Sequence, residues 1–98
     1  MTTSDAIQSE NKILGALDSN FFTDKVHYYK DSYEDHMMIQ VAYLRGGNRV
    51  LLEIWIDWEG GELFCNIKYG DIELLDCDGI PTEEDLNKLV DKLSELLA

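Results

Sequence analysis

Between Val26 and Leu75, apolar and polar residues alternate with a period of two, and clusters of glycine and polar residues break the alternation at regular intervals. Successive side chains of a strand point to opposite faces, so this pattern commits the middle of the chain to an antiparallel sheet with one apolar and one polar face. Strands are expected at about 26–30, 36–45, 49–58, 62–69 and 71–75. Gly46-Gly47-Asn48 and Glu59-Gly60-Gly61-Glu62 turn the chain between them, because glycine reaches the positive φ of tight hairpins. The third strand sets Val50, Leu52, Ile54, Ile56 and Trp58 on one face and Arg49, Leu51, Glu53, Trp55 and Asp57 on the other. In the fourth, Leu63, Cys65, Ile67 and Tyr69 continue the apolar face, while Glu62, Phe64, Asn66 and Lys68 point away.

Helical spacing flanks this region. Ile7, Ile13, Leu14 and Leu17 fall near one stripe of a helix over 4–17, with Ser4 placed to cap it. Asp18-Ser19-Asn20 has the composition of a turn that ends the helix and lets Phe21 and Phe22 pack on the core. At the other end, Thr82 caps a second helix, Glu83, Glu84 and Asp85 set negative charge against the positive end of its dipole, and Pro81 precedes the cap. Leu86, Leu89, Val90, Leu93, Leu96 and Leu97 then recur at three and four. The fold class that follows is α+β: an antiparallel β-meander of four to five strands, with an N-terminal and a C-terminal helix packed on one face. A chain of 98 residues supports one domain, 1–98. Its expected core is Val50, Leu52, Ile54, Ile56, Leu63, Cys65, Ile67, Leu86, Leu89, Val90 and Leu93.

Composition narrows the function. The net charge of −12 argues against direct binding to nucleic acid or an anionic membrane, both of which reward Lys and Arg. No apolar stretch approaches the roughly 18 residues of a membrane span, and the start of the chain does not read as a signal peptide, so a cytoplasmic location is expected. Cys65 and Cys77 read as reduced thiols, the first as a small core hydrophobe.

The charge is also unevenly placed. Eleven of the 20 acids, and one base, Lys68, lie between Glu53 and Asp85. Strand geometry sets Glu53 and Asp57 beside Trp55, with Glu62 and Phe64 on the facing strand and Asp71 and Glu73 outward on the last one. Large aromatics among carboxylates suit a surface that binds a basic protein: the acids steer and pair with Lys and Arg, and the indole supplies a desolvated anchor. The candidate partner-binding residues are Glu53, Trp55, Asp57, Glu59, Glu62, Phe64, Asp71, Glu73, Asp76 and Asp78. Burial of Trp55 under the second helix or a dimer mate, with the acids serving solubility, is the competing expectation.

No catalytic, cofactor or metal site is expected. Aligning Gly79 of Asp76-Cys77-Asp78-Gly79 with the sixth position of an EF-hand loop puts Leu74 at the first ligand, and the segment reads as a polar turn. His27 and His36 have no clear third ligand for zinc. The serines lack a nucleophile elbow, paired acids lack an apolar cleft to raise one pKa, and the glycine pairs suit hairpins better than phosphate loops.

Through the run from Val50 to Glu59 and on to Lys68-Tyr69, in size, acidity and helix-flanked meander, the chain resembles the small acidic immunity proteins of bacterial toxin–immunity pairs, including those of contact-dependent inhibition systems. The resemblance implies a cytoplasmic, non-enzymatic inhibitor that binds a cognate toxin, often a basic nuclease, and covers its substrate site or a neighbouring surface. It assigns no individual contact residue. The free chain is expected as a monomer or a dimer. A DNA mimic that blocks a host DNA-binding or defence protein would use the same charge pattern, and a dimeric secretion chaperone or structural subunit would instead bury Trp55.

Overall fold

A computed structural model of the chain describes residues 3–21, the side chain of Phe21 excepted, and 24–98. The elements run α1 (Thr3–Phe21), β1 (Lys25–Ser32), β2 (His36–Arg45), β3 (Asn48–Asp57), β4 (Phe64–Tyr69), β5 (Ile72–Asp78) and α2 (Glu83–Leu96). The strands form one antiparallel sheet in the order β1-β2-β3-β4-β5, so the fold is the expected α+β meander with five strands and two helices.

The register follows from the alternation and the turns. Arg45 pairs with Asn48 around Gly46 and Gly47, whose φ values of 57° and 82° give a two-residue hairpin that a β-carbon would strain. Met37 then faces Ile56, Ile39 faces Ile54 and Val41 faces Leu52, and every one of them is buried. On the same inner face lie Cys65, Ile67, Leu75 and the end residue Trp58. Both helices pack here: α1 contacts β3, α2 contacts β5, and the helices touch each other. Of the expected core residues all are buried except Val90, which is partly buried against the cluster.

α2 is built as expected and adds a reciprocal cap. The Asp85 N–H donates to Thr82 Oγ1 at 3.1 Å, and the Thr82 N–H donates to Asp85 Oδ2 at 2.9 Å. α1 departs from expectation at both ends. It already includes Ser4, so Ser4 is not its cap, and it continues through Asp18-Ser19-Asn20 to Phe21. Those turn-forming side chains find partners that leave the helix intact: Asp18 accepts from Tyr43 at 2.7 Å and pairs with Lys25 at 3.3 Å, and Asn20 donates to the Ala16 carbonyl at 2.7 Å. The packing expected of Phe21 and Phe22 lies outside the described residues.

The buried stripe of α1 is Ala6, Ser9, Glu10, Ile13 and Leu17, while Ile7 is 46% exposed. Two polar residues therefore occupy core positions. The Ser9 hydroxyl donates to the Asp5 carbonyl at 2.9 Å. Glu10 accepts from Lys30 at 2.8 Å and from the Tyr28 hydroxyl at 3.2 Å, tying α1 to the inner face of β1.

Strand ends depart as well: β1 runs on to Ser32, past the expected end at 30, β4 starts at Phe64 rather than 62, and the last strand differs most. Asp76-Cys77-Asp78 is strand rather than turn, and β5 starts one residue later than expected, at Ile72. A register shift between Ile67 and Lys68 leaves Leu74 as the extra residue opposite them, so that Leu74 and Leu75 are both buried. Cys77 thereby faces Cys65 across the ladder, and both thiols are free. Among the described residues, no helix is long and apolar enough to cross a membrane.

Candidate interaction surface

With both helices on the inner face, the outer face of the sheet is open, and the register orders its side chains in rows. One row runs His36, Asp57, Phe64, Asp78; the next Met38, Trp55, Asn66, Asp76; the third Gln40, Glu53, Lys68, Glu73. Directly opposed side chains in such rows have β-carbons about 4.5–5.5 Å apart, so Phe64 stands between Asp57 and Asp78 on its neighbouring strands, whereas Trp55, opposed by Met38 and Asn66, has Glu53 and Asp57 beside it along its own strand. Trp55 is 42% exposed and Phe64 39%. Between them lies a depression of about 470 Å³ whose lining includes His36, Trp55, Asp57, Glu59, Phe64 and Lys68.

The structure thus gathers Glu53, Trp55, Asp57, Phe64, Glu73, Asp76 and Asp78 on one face, with Glu59 at its margin in the short 3-10 turn Glu59–Gly61. Two expected members are not brought to it. Asp71 sits in the turn between β4 and β5, because the strand begins after it. Glu62 precedes β4 and lines a separate depression with Gly61, Leu63, Asp78 and Gly79. The alternation had set His36, Asn66 and Lys68 on this face or at its start without including them in the site. Cross-strand register, which needs the loop lengths as well as the period, is what adds them.

Electrostatically the face is unevenly balanced. Lys68 stands in register between Glu53 and Glu73, so the one base of the acidic region is set where two carboxylates flank it. The ion pairs among the described residues join Lys25 to Asp18, Lys30 to Glu10 and Lys88 to Glu84, with His36 beside Asp35. None of them takes an acid of β3, β4 or β5. Along β5 the acids act on one another: desolvation first, then Glu73 by charge and hydrogen bonding, and then Asp78 hold the Asp76 carboxyl above its ordinary range. Asp57 has a structural duty besides its charge, since its Oδ1 accepts the Glu59 N–H at 2.8 Å and opens the 3-10 turn.

Among the described residues, no group of three or more His, Cys, Asp and Glu side chains is gathered to hold a metal ion. The thiols lie on the other side of the sheet, and burial raises the pKa of both, that of Cys77 to about 12. Comparison with protein-family models, with curated proteins and with solved structures found no match to the chain.

Proposed function

We propose that this protein is a cytoplasmic immunity-type inhibitor, which binds a basic toxin domain, a nuclease, through the outer face of its sheet and occludes the toxin's substrate-binding surface. The observation that carries the reading is the open face itself: Trp55 and Phe64 stay exposed among five carboxylates although two helices were available to cover them. Leaving such rings in water forgoes burial free energy, about 25 cal/mol for each Å² that stays exposed, and a partner that covers them recovers it. The acids give the partner its sign. A cationic surface steered to this face would relieve the repulsion along β5, and its Lys and Arg would occupy positions that substrate phosphates otherwise take.

The test starts from the tagged chain in its native cells, purified at moderate salt, with any stoichiometric basic partner assayed for nuclease or other toxic activity. Loss of that activity on adding the chain is the expected result. Neutralising Glu53→Gln, Asp57→Asn and Asp76→Asn together should weaken binding by about tenfold and flatten its salt dependence. Asp57→Asn is chosen because its amide oxygen still accepts the Glu59 N–H. Trp55→Ala should raise the dissociation rate by about 30-fold, as for a central aromatic anchor. Unchanged affinity in both variants would remove this face from the interaction, and a captured host DNA-binding protein displaced by generic duplex DNA would replace toxin inhibition with DNA mimicry.

A further inference from the structure

We propose that the free edge of β1 joins two copies of this chain into one continuous sheet, the two Tyr29 side chains facing each other across a two-fold axis normal to it. The sheet has two edges, β1 and β5, and they differ in how they would meet a second copy. β5 carries Glu73, Asp76 and Asp78 without a base, and Lys92 of α2 already donates to the Glu73 carbonyl at 2.7 Å. Like charges set edge to edge repel, which blunts β5. β1, Lys25-Val-His-Tyr-Tyr-Lys-Asp-Ser32, holds two lysines and a histidine against one acid in a chain of net charge −12. Its Tyr29 is 47% exposed.

The phase of the ladder shows which backbone groups are open. The Tyr33 N–H donates to the His36 carbonyl at 2.8 Å, in the register that also pairs Asp31 with Met38 and Tyr29 with Gln40. From His27 to Asp31, beyond the register shift after Lys25, the odd-numbered residues of β1 therefore turn their N–H and C=O to β2, and Tyr28, Lys30 and Ser32 turn theirs to the open edge. A symmetric antiparallel pairing can centre on any one residue of the strand, since opposed side chains must share a face. The charges select the centre. About Tyr29, His27 meets Asp31 of the second copy and Tyr28 meets Lys30, each contact occurring twice. About Lys30, two lysines would oppose each other. About Tyr28, Lys30 would meet Val26, where the register shift between Lys25 and His27 interrupts the strand. Centring on Tyr29 also brings the even-numbered backbone groups into hydrogen-bonded pairs, and it leaves both acid–aromatic faces on the same side of the joined sheet.

Sedimentation of the full chain should give a dimer in the micromolar range. Tyr29→Lys sets two lysines on the axis and should raise the dimer dissociation constant about tenfold or more, with the circular dichroism of the monomer unchanged. Tyr29→Cys should cross-link into a disulfide dimer on mild oxidation, because opposed Cα atoms of a non-hydrogen-bonded pair lie about 4.5 Å apart, within disulfide reach. The native chain, with Cys65 and Cys77 facing inward, should stay uncross-linked. A monomeric mass throughout the micromolar range, a dimer that survives Tyr29→Lys, or a dimer in which Tyr29→Cys fails to cross-link would each overturn the proposal. Toxin binding enters none of these readouts.

Discussion

Trp55 and Trp58 stand three residues apart, and the pleat sends them to opposite sides of the sheet, one 42% exposed and the other 8%. Their truncations should separate cleanly: Trp58→Ala should cost about 3–5 kcal/mol in a denaturant titration, Trp55→Ala about 1 kcal/mol or less. Equal costs would mean that the outer face is covered in the free chain. A second expectation concerns alkaline pH. The Cys77 thiol is raised from 9.0 to about 12, by burial first and then by Cys65 and Asp85, and the Cys65 thiol is raised chiefly by burial. Tyr43 is raised as well, by burial first and then by its hydrogen bond to Asp18. In each case the fold favours the protonated form, so the stability it contributes is complete below the unfolded value and is lost as pH rises through the folded one. For Cys77 that window opens near pH 9 and closes near 12. The denaturation midpoint should fall across it, and Cys77→Ala should make the fall shallower; a midpoint flat to pH 11 would contradict burial of these groups.

At the scale of elements, what the sequence discloses depends on whether burial keeps time with the backbone period. β3 and β4 were legible because each buries one face only, so alternation in the sequence is alternation in space, whereas β2 was bounded by the breakers on either side of it, since Val41, Ala42 and Tyr43 are buried in succession. β5 was half legible: Leu74-Leu75 breaks the period at the bulge, and Asp76-Cys77-Asp78 has turn composition although Cys77 is held opposite Cys65. The candidate surface shared that fate, since Glu53, Trp55, Asp57 and Phe64 were placed by alternation, whereas Asp71 and Glu62 fell off it where strand ends moved. α1 was obscured by Ser9 and Glu10, polar residues in its buried stripe: the Ser9 hydroxyl is satisfied one turn back by the Asp5 carbonyl, whereas the partners of Glu10 come from β1, remote in the sequence. α2 was legible throughout, because its cap and its stripe are both local. Thr82→Ala removes one half of the reciprocal cap and should cost about 1 kcal/mol in thermal or denaturant unfolding. A loss below a few tenths would mean that Pro81 and the packing of Leu86, Leu89 and Leu93 hold the start of α2 without it.

For the molecule as a whole, the net charge of −12 points to a free chain strained by its own field, and Asp76, raised by desolvation first and then by Glu73 and Asp78, carries part of that repulsion. Asp76 is the reverse of a salt-bridged carboxylate. Its folded pKa lies above the unfolded 3.8, so at neutral pH its charge subtracts from stability, and that penalty lifts as pH falls through the raised value. Screening should act in the same direction, because at about 0.1 M salt the Debye length is roughly 10 Å, comparable to the spacing of acids across β3 to β5. The thermal midpoint of the free chain should therefore rise on adding sodium chloride, a salt chosen because sulfate would strengthen apolar burial as well. Binding to a basic partner should respond with the opposite sign, its affinity falling as the same salt screens attraction between unlike charges. One set of carboxylates predicts both slopes, so the variant carrying Glu53→Gln, Asp57→Asn and Asp76→Asn should flatten the two together. If it flattens the stability slope and leaves the binding slope intact, the acids of the outer face burden the fold without steering the partner, and recognition has to be sought on another surface.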